Sequence, residues 1–239
     1  MSKEELIYEL KAIGIVISKE QLAKIEAFCH FLMTENKKYN LTAIRDYNDM
    51  LLKHVYDSLT IIKAVDLMTN VSLLDIGSGA GFPGIILKII FPHLHVVLLD
   101  ANGKKTHFLS LAKKHLNLDN LEIINERAET FVLNHRESFD IVTARAVASL
   151  NVLLELGVPY LKETGTFVVM KGNIDNELAL GQEACAFLNC EISQVMKLNL
   201  PIENSNRTLI LVNKNGKTPC EYPRKYDRIL KMPLKKKLK

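Results

Sequence analysis

Apolar residues recur with helical spacing through the first quarter of the chain and with strand spacing after it. Ser2-x-x-Glu5 and Ser18-x-x-Gln21 are capping-box patterns, in which a hydroxyl accepts from the backbone three residues on and the Glu or Gln reaches back. Each opens a helical segment; in the second, Leu22, Ile25, Phe28, Cys29, Leu32 and Met33 share one face. A third helix is predicted from about Asn48, with Leu51, Leu52, Val55, Leu59 and Ile62 as its apolar stripe. Residues 1–65 therefore read as an N-terminal helical cap packed on the domain C-terminal to it.

From Val71 the period changes. Val71 to Ile76, His95 to Asp100, Leu121 to Ile124, Phe139 to Ala144 and Thr166 to Met170 are short β-rich runs separated by helix-length segments. Strands alternating with helices imply a parallel, doubly wound sheet, and apolar runs such as Val96-Val97-Leu98-Leu99 fit burial on both faces. After a helical stretch near Asn176 to Leu188, Glu191 to Leu198 and Arg207 to Val212 have no helix-length spacer between them and read as an antiparallel pair at one edge. The expected fold is α/β, a mainly parallel seven-stranded sheet over residues 66–215, with the helical cap before it and a tail at 216–239.

Composition narrows the function classes. With 239 residues, 48% hydrophobic and 24% charged, the chain is an ordinary globular protein rather than a disordered one. The richest apolar run, Gly84 to Phe91, is short and broken by Lys88, so no membrane span is expected. Met1-Ser2-Lys3-Glu4-Glu5 is unlike a secretory leader, and a cytoplasmic protein is expected. Cys29, Cys185, Cys190 and Cys220 form no C-x-x-C pair and have no His at zinc-ligand spacing, which points to free thiols and no metal. The net charge is +4, yet the segment Arg224 to Lys239 alone holds eight Lys or Arg against one Asp, so the body is mildly acidic and the tail basic. Such asymmetry suits contact with phosphates or acidic lipids, or a merely solvated tail.

The first strand runs into Asp75-Ile76-Gly77-Ser78-Gly79-Ala80-Gly81-Phe82-Pro83-Gly84, with Pro83 where a first helical turn tolerates it. Gly77 and Gly79 allow a sharp turn and close backbone approach to a ligand at the carboxyl end of a strand, as in nucleotide-binding folds; a plain strand-to-helix connection is the alternative. Asp100 ends the second strand, where a carboxylate can accept both ribose hydroxyls of an adenosine, or else cap the next helix. Ala128-Glu129 come after the third strand, near an adenine edge or simply at a helix start. Arg145 after the fourth strand and Lys171 after the fifth put two cations on the same sheet edge, favouring an anionic substrate unless each pairs with an acid.

Taken together these motifs closely resemble the ribosomal RNA small subunit methyltransferase G family, also called glucose-inhibited division protein B, within the class I S-adenosylmethionine-dependent methyltransferases. The resemblance spans most of the chain and includes Asn40-Leu41-Thr42-Ala43-Ile44, His54-x-x-Asp57-Ser58, the glycine turn with Phe82-Pro83-Gly84, Leu99-Asp100, Arg127-Ala128-Glu129, Arg145-Ala146-x-Ala148-Ser149-Leu150, Lys171-Gly172 and Tyr222-Pro223-Arg224-Lys225. It implies a Rossmann-like domain holding S-adenosyl-L-methionine at Gly77, Gly79 and Phe82, at Asp100, at Ala128 and Glu129, and at Arg145 near the reacting end. It further implies methylation of N7 of one guanine in 16S rRNA of the small ribosomal subunit; Arg145, Lys171 and Arg224 are the expected RNA-binding cations, no obligate protein partner is evident, and because N7 carries no proton no catalytic base is expected. Histidines such as His54 are then expected to be structural. One departure comes after Lys225, where Tyr226-Asp227-Arg228-Ile229 replaces a Gly/Pro-containing stretch of the family.

Two readings from other classes compete. A nicotinamide dehydrogenase uses the same kind of sheet, but the G-x-G-x-G spacing and the antiparallel edge pair disfavour it. An RNA-binding assembly module without catalysis would not need Gly77, Asp100 and Arg145. A small-molecule methyltransferase would leave the basic tail unexplained.

Overall fold

The computed structural model describes residues 1–145, 148–174 and 177–235. Helix α1 (Lys3–Ala12) and α2 (Lys19–Tyr39) both begin at the expected capping boxes, with Ser2 and Ser18 hydroxyls accepting from Glu5 N and Gln21 N. α3 (Tyr47–Met50) passes through a π-helical segment at Leu51–Tyr56 into α4 (Asp57–Leu59) and a 3-10 turn at Thr60–Lys63. This is the third helix of the sequence pattern, buried through Leu51, Leu52, Val55 and Leu59. Its widened turn carries His54 and leads directly into Asp57, and such turns often occur at functional sites.

β1 (Ser72–Ile76), α5 (Gly84–Ile90), β2 (His95–Leu99), α6 (Gly103–Leu116), β3 (Leu121–Ile124), α7 (Ala128–Phe131), β4 (Phe139–Arg145), α8 (Leu150–Gly157) and β5 (Leu161–Lys171) succeed one another in α/β alternation. α9 (Glu177–Leu188), β6 (Cys190–Asn199), β7 (Asn206–Lys214) and α10 (Tyr226–Lys231) complete the order. The helix start expected near Asn176 and the lysines beyond Lys235 lie outside the described residues. The seven strands form one sheet in the order β3-β2-β1-β4-β5-β7-β6. The first five pair in parallel, while β7 is antiparallel to both β5 and β6. β5 begins five residues earlier than its apolar run suggests, because Leu161 pairs with Phe139 before the register shifts.

Each face of the sheet is covered. On one face Leu73, Val96 and Leu98 join Phe108 of α6 and Leu6, Leu10, Ile25, Phe28 and Leu32 of the N-terminal helices in a single buried cluster, so the cap and the sheet share a core. On the other, Leu74, Val97, Val142, Phe167 and Ile210 pack with Leu153 and Leu154 of α8 and Leu188 of α9. This double covering leaves the carboxyl edge of β1, β2, β4 and β5 as the place where loops can shape a ligand site.

Candidate functional site

The loop after β1 is drawn tight by its own backbone. Gly77, Gly79 and Gly81 all have positive φ, at 69°, 56° and 95°, a region that side chains resist. Gly77 N and Ser78 N donate to Leu99 O at the end of β2, at 2.7 and 3.2 Å, and Gly81 N donates to Ser78 O at 2.7 Å. Gly84 must lack a Cβ, since one there would come within 2.9 Å of Asp75 Oδ2. That same carboxylate oxygen accepts from Gly84 N at 3.0 Å, whereas Asp75 Oδ1 is buried with no hydrogen-bond partner. Burial, only partly offset by the Gly84 N–H and Arg145, pushes the Asp75 carboxyl up to about 7.

Asp100 fastens this loop to β2. Its Oδ2 accepts from Gly79 N at 2.9 Å and its Oδ1 from Asn102 N at 2.8 Å. The alternative of Asp100 as helix cap does not hold: Asn102 is the N-cap of α6, its Oδ1 accepting from Lys104 N at 3.0 Å. Each Asp100 oxygen keeps a second lone pair, and the residue lines a cavity of about 260 Å³ together with Gly77, Leu99, Ala128, Glu129 and Leu156. Gly79 and Phe82 lie outside that lining. Gly79 is tied to Asp100, and Phe82 is buried with its ring stacked on His54 at 4.4 Å and 5.3 Å from Phe28.

Beside it, at the ends of β4, β5 and β7, a second cavity of about 350 Å³ is lined by Lys53, His54, Asp57, Arg145, Lys171 and Arg207, with apolar walls from Ile44, Met170 and Leu209. Arg145 reaches from this cavity toward the glycine loop, its guanidinium 5.4 Å over the Phe82 ring. The Arg145 Nη1 donates to Asp57 Oδ2 and Lys53 O, both at 3.2 Å, and its Nη2 to His54 Nδ1 at 3.1 Å. Asp57 Oδ1 accepts in turn from Arg207 Nε at 3.1 Å, so one carboxylate only 4% exposed fixes two arginines.

The arrangement sets the tautomer of His54. A guanidinium can only donate, so Nδ1 is the acceptor and Nε2 carries the proton, donated to Thr42 Oγ1 at 2.8 Å. Burial and the Arg145 charge lower the His54 pKa to about 3, which keeps the ring neutral. Lys171 is paired as well, with Glu177 Oε2 at 2.8 Å and Ala148 O. The two cations thus do meet acids, yet both remain on a cavity wall.

Arg224 does not join this group. Its Nε and Nη2 hold Glu155 at 2.7 and 2.6 Å, so its charge is already matched within the protein and serves to anchor the tail. Spacing does not single out Asp57, Arg207 or Thr42, which enter the second cavity or its hydrogen-bond network only through the fold; the one signal for Thr42 and Asp57 is their place in the motifs shared with the family. All four cysteines are free thiols, and among the described residues no cluster of three His, Cys, Asp or Glu could hold a metal. No helix among them is long and apolar enough to cross a membrane.

A doubly wound sheet with an antiparallel β7, a glycine loop after β1 and an acid after β2 defines a Rossmann-like methyltransferase fold. The crystal structure of precorrin-6y C5,15-methyltransferase from Geobacter metallireducens shares it, with a TM-score of 0.53 at 17% identity over 66% of this chain and 87% of that one. Sequence narrows the class. A profile of the rRNA small subunit methyltransferase G family matches residues 21–209. Ribosomal RNA small subunit methyltransferase G of Bacillus velezensis is 42% identical over 98% of this chain and 99% of its own, and that of Bacillus subtilis 41% over the same shares. The chain belongs to the rRNA small subunit methyltransferase G family.

Proposed function

We propose that this protein uses S-adenosyl-L-methionine to methylate N7 of a guanine in 16S rRNA, on the small ribosomal subunit and hence in the cytoplasm. The observation that carries the reading is that the Gly77–Asp100 cavity and the Arg145–Lys171 cavity share one sheet edge, with Arg145 of the second lying over Phe82 of the glycine loop. The donor set fits an adenosyl cofactor: Asp100 has acceptor capacity for two hydroxyls, and Ala128 and Glu129 lie on the same cavity. When bound, the cofactor supplies an electrophilic methyl group on a sulfonium.

The residues of this chain then have a positioning task. Guanine N7 carries a lone pair and no proton, so nothing has to be abstracted there, and His54 is neutral with both nitrogens engaged. Arg145, Lys171 and Arg207 supply donors and positive charge to phosphate or to guanine O6, and the Asp57 clasp keeps the two arginines in fixed directions. Lysines of the tail add attraction for the RNA backbone.

Two assays test the reading. S-adenosylhomocysteine should raise the melting temperature while NAD leaves it unchanged, and labelled methyl should pass to 16S rRNA. Stabilisation by NAD alone would instead support the dehydrogenase reading, and cofactor binding without transfer to rRNA would favour the non-catalytic or small-molecule alternatives.

A further inference from the structure

The C-terminal segment lies against the cofactor cavity, held there by a buried carboxylate. Glu155 sits on α8, among Val152, Leu153, Leu154 and Leu156, and is fully enclosed. A charge in such a place is costly unless it is matched. Its match comes from the tail: Arg224 donates its backbone N–H to Oε1 at 3.0 Å, in addition to the two guanidinium bonds. The same guanidinium reaches Met232 O at 3.0 Å, across α10. Arg136 Nη1 donates to Tyr222 O at 2.6 Å, and Asn151 Nδ2 to Leu234 O at 3.3 Å. Ile229 is buried against Val152 and Leu156.

These fastenings fix one residue in particular. Tyr226, at the start of α10, lines the cavity that also holds Gly77, Asp100 and Ala128, and the Arg127 guanidinium lies over one face of its ring, 5.0 Å from the centroid. Leu156 lines the cavity too and packs on Ile229, so the cavity and the tail share a wall. We infer that Tyr226 is a cofactor-contacting residue, forming an aromatic wall for the adenine ring, and that the Glu155–Arg224 pair is the positioning device that seats it. With Arg127 over one face of the ring, the other face, beside an apolar leucine, suits a purine, because every base stacks on an aromatic ring. Cofactor and tail are then thermodynamically linked: whatever fills the cavity stabilises the docked tail, and an undocked tail leaves the cavity short of one side.

The inference rests on the S-adenosylmethionine reading, and calorimetry with S-adenosylhomocysteine on the full chain separates the two. Tyr226→Ala should weaken binding by roughly five- to 150-fold, the range of one base stacked on an aromatic ring, while Tyr226→Phe stays near wild type. In turnover, Tyr226→Ala should raise KM for the cofactor and leave KM for RNA within about twofold. Hydrogen exchange offers a second measure without any variant: amides of 222–231 should gain protection when S-adenosylhomocysteine is added, and Glu155→Gln should lose much of it. A folded Tyr226→Ala protein with affinity within about twofold of wild type, or tail amides indifferent to the ligand, overturns the wall alone. Failure of the wild-type protein to bind S-adenosylhomocysteine overturns the cofactor reading and the wall with it.

Discussion

Replacing His54 by Gln should remove an acid-sensitive component of stability. In the folded protein the imidazole is held neutral, its pKa lowered to about 3 by burial and by Arg145, against 6.5 for a free histidine. The unfolded chain therefore binds a proton at this position between those values and the folded chain does not. Stability from this group is complete above the unfolded pKa and falls as pH drops through 6.5 toward about 3. At about pH 5 the unfolded side chain lies roughly 1.5 units below its pKa, worth about 2 kcal/mol relative to neutral pH. The ring is not wholly enclosed, and about 1 to 2 kcal/mol is the expected size after screening. For a chain of this length that is a shift of about 2 to 8 °C in melting temperature. Urea unfolding of wild type and His54→Gln between about pH 7.5 and pH 5 measures it. Asp75, raised to about 7, drifts in the opposite sense, losing stability as pH rises, but it is common to both proteins and cancels in the difference. Parallel stability curves, or an imidazole resonance titrating near its free value, would refute the buried neutral ring. The same neutrality predicts that single-turnover methyl transfer shows no His54 ionisation between about pH 6 and 9.

Asp100→Ala should weaken S-adenosylmethionine binding by roughly 1.5 to 3 kcal/mol, and it also removes the anchors of Gly79 N and Asn102 N, so calorimetry should be paired with a melting curve. Unchanged affinity in a folded variant removes Asp100 from the site. Asp57→Ala leaves Arg145 and Arg207 without their shared partner; methylation should fall by roughly tenfold or more while S-adenosylhomocysteine affinity stays within about threefold. Equal losses in both would assign Asp57 to cofactor binding. Exchanging Lys235, Lys236, Lys237 and Lys239 for Gln should flatten the dependence of log RNA affinity on log salt by about 0.7 to 0.9 for each phosphate no longer neutralised. An unaltered slope means that these lysines are merely solvated. Substituting the lysines is preferable to deleting Leu230–Lys239, because Leu234 is buried and Met232 O accepts from Arg224.

Periodicity is enough for the architecture, since buried parallel strands and amphipathic helices have different repeats and both capping boxes form as written. It falls short at β5, where Lys162, Glu163 and Thr164 break the apolar run but the strand starts earlier, because Leu161 pairs with Phe139 of β4 across a register shift that local composition does not signal. In the site, Gly77 and Asp100 can be read from their place at strand ends. Asp57 and Arg207 cannot, because they stand 150 positions apart and meet only when β7 folds back beside β5. The pairing of Arg224 is illegible for a related reason: nothing in the local sequence points to Glu155, 69 positions away, as its partner.

The central claim is that the two cavities on one sheet edge bring a methyl donor to guanine N7 of 16S rRNA. Its most direct test incubates the purified protein with S-adenosylmethionine and small subunits, or 16S rRNA, from cells lacking this protein. The RNA is then treated with borohydride and aniline, which cut the chain at 7-methylguanosine, and the breaks are mapped. The expected result is one new cleavage at a single guanine, dependent on the cofactor and abolished by Arg145→Met. Methyl incorporated without cleavage, as on an exocyclic amine or a ribose, or no incorporation into 16S rRNA at all, would contradict it.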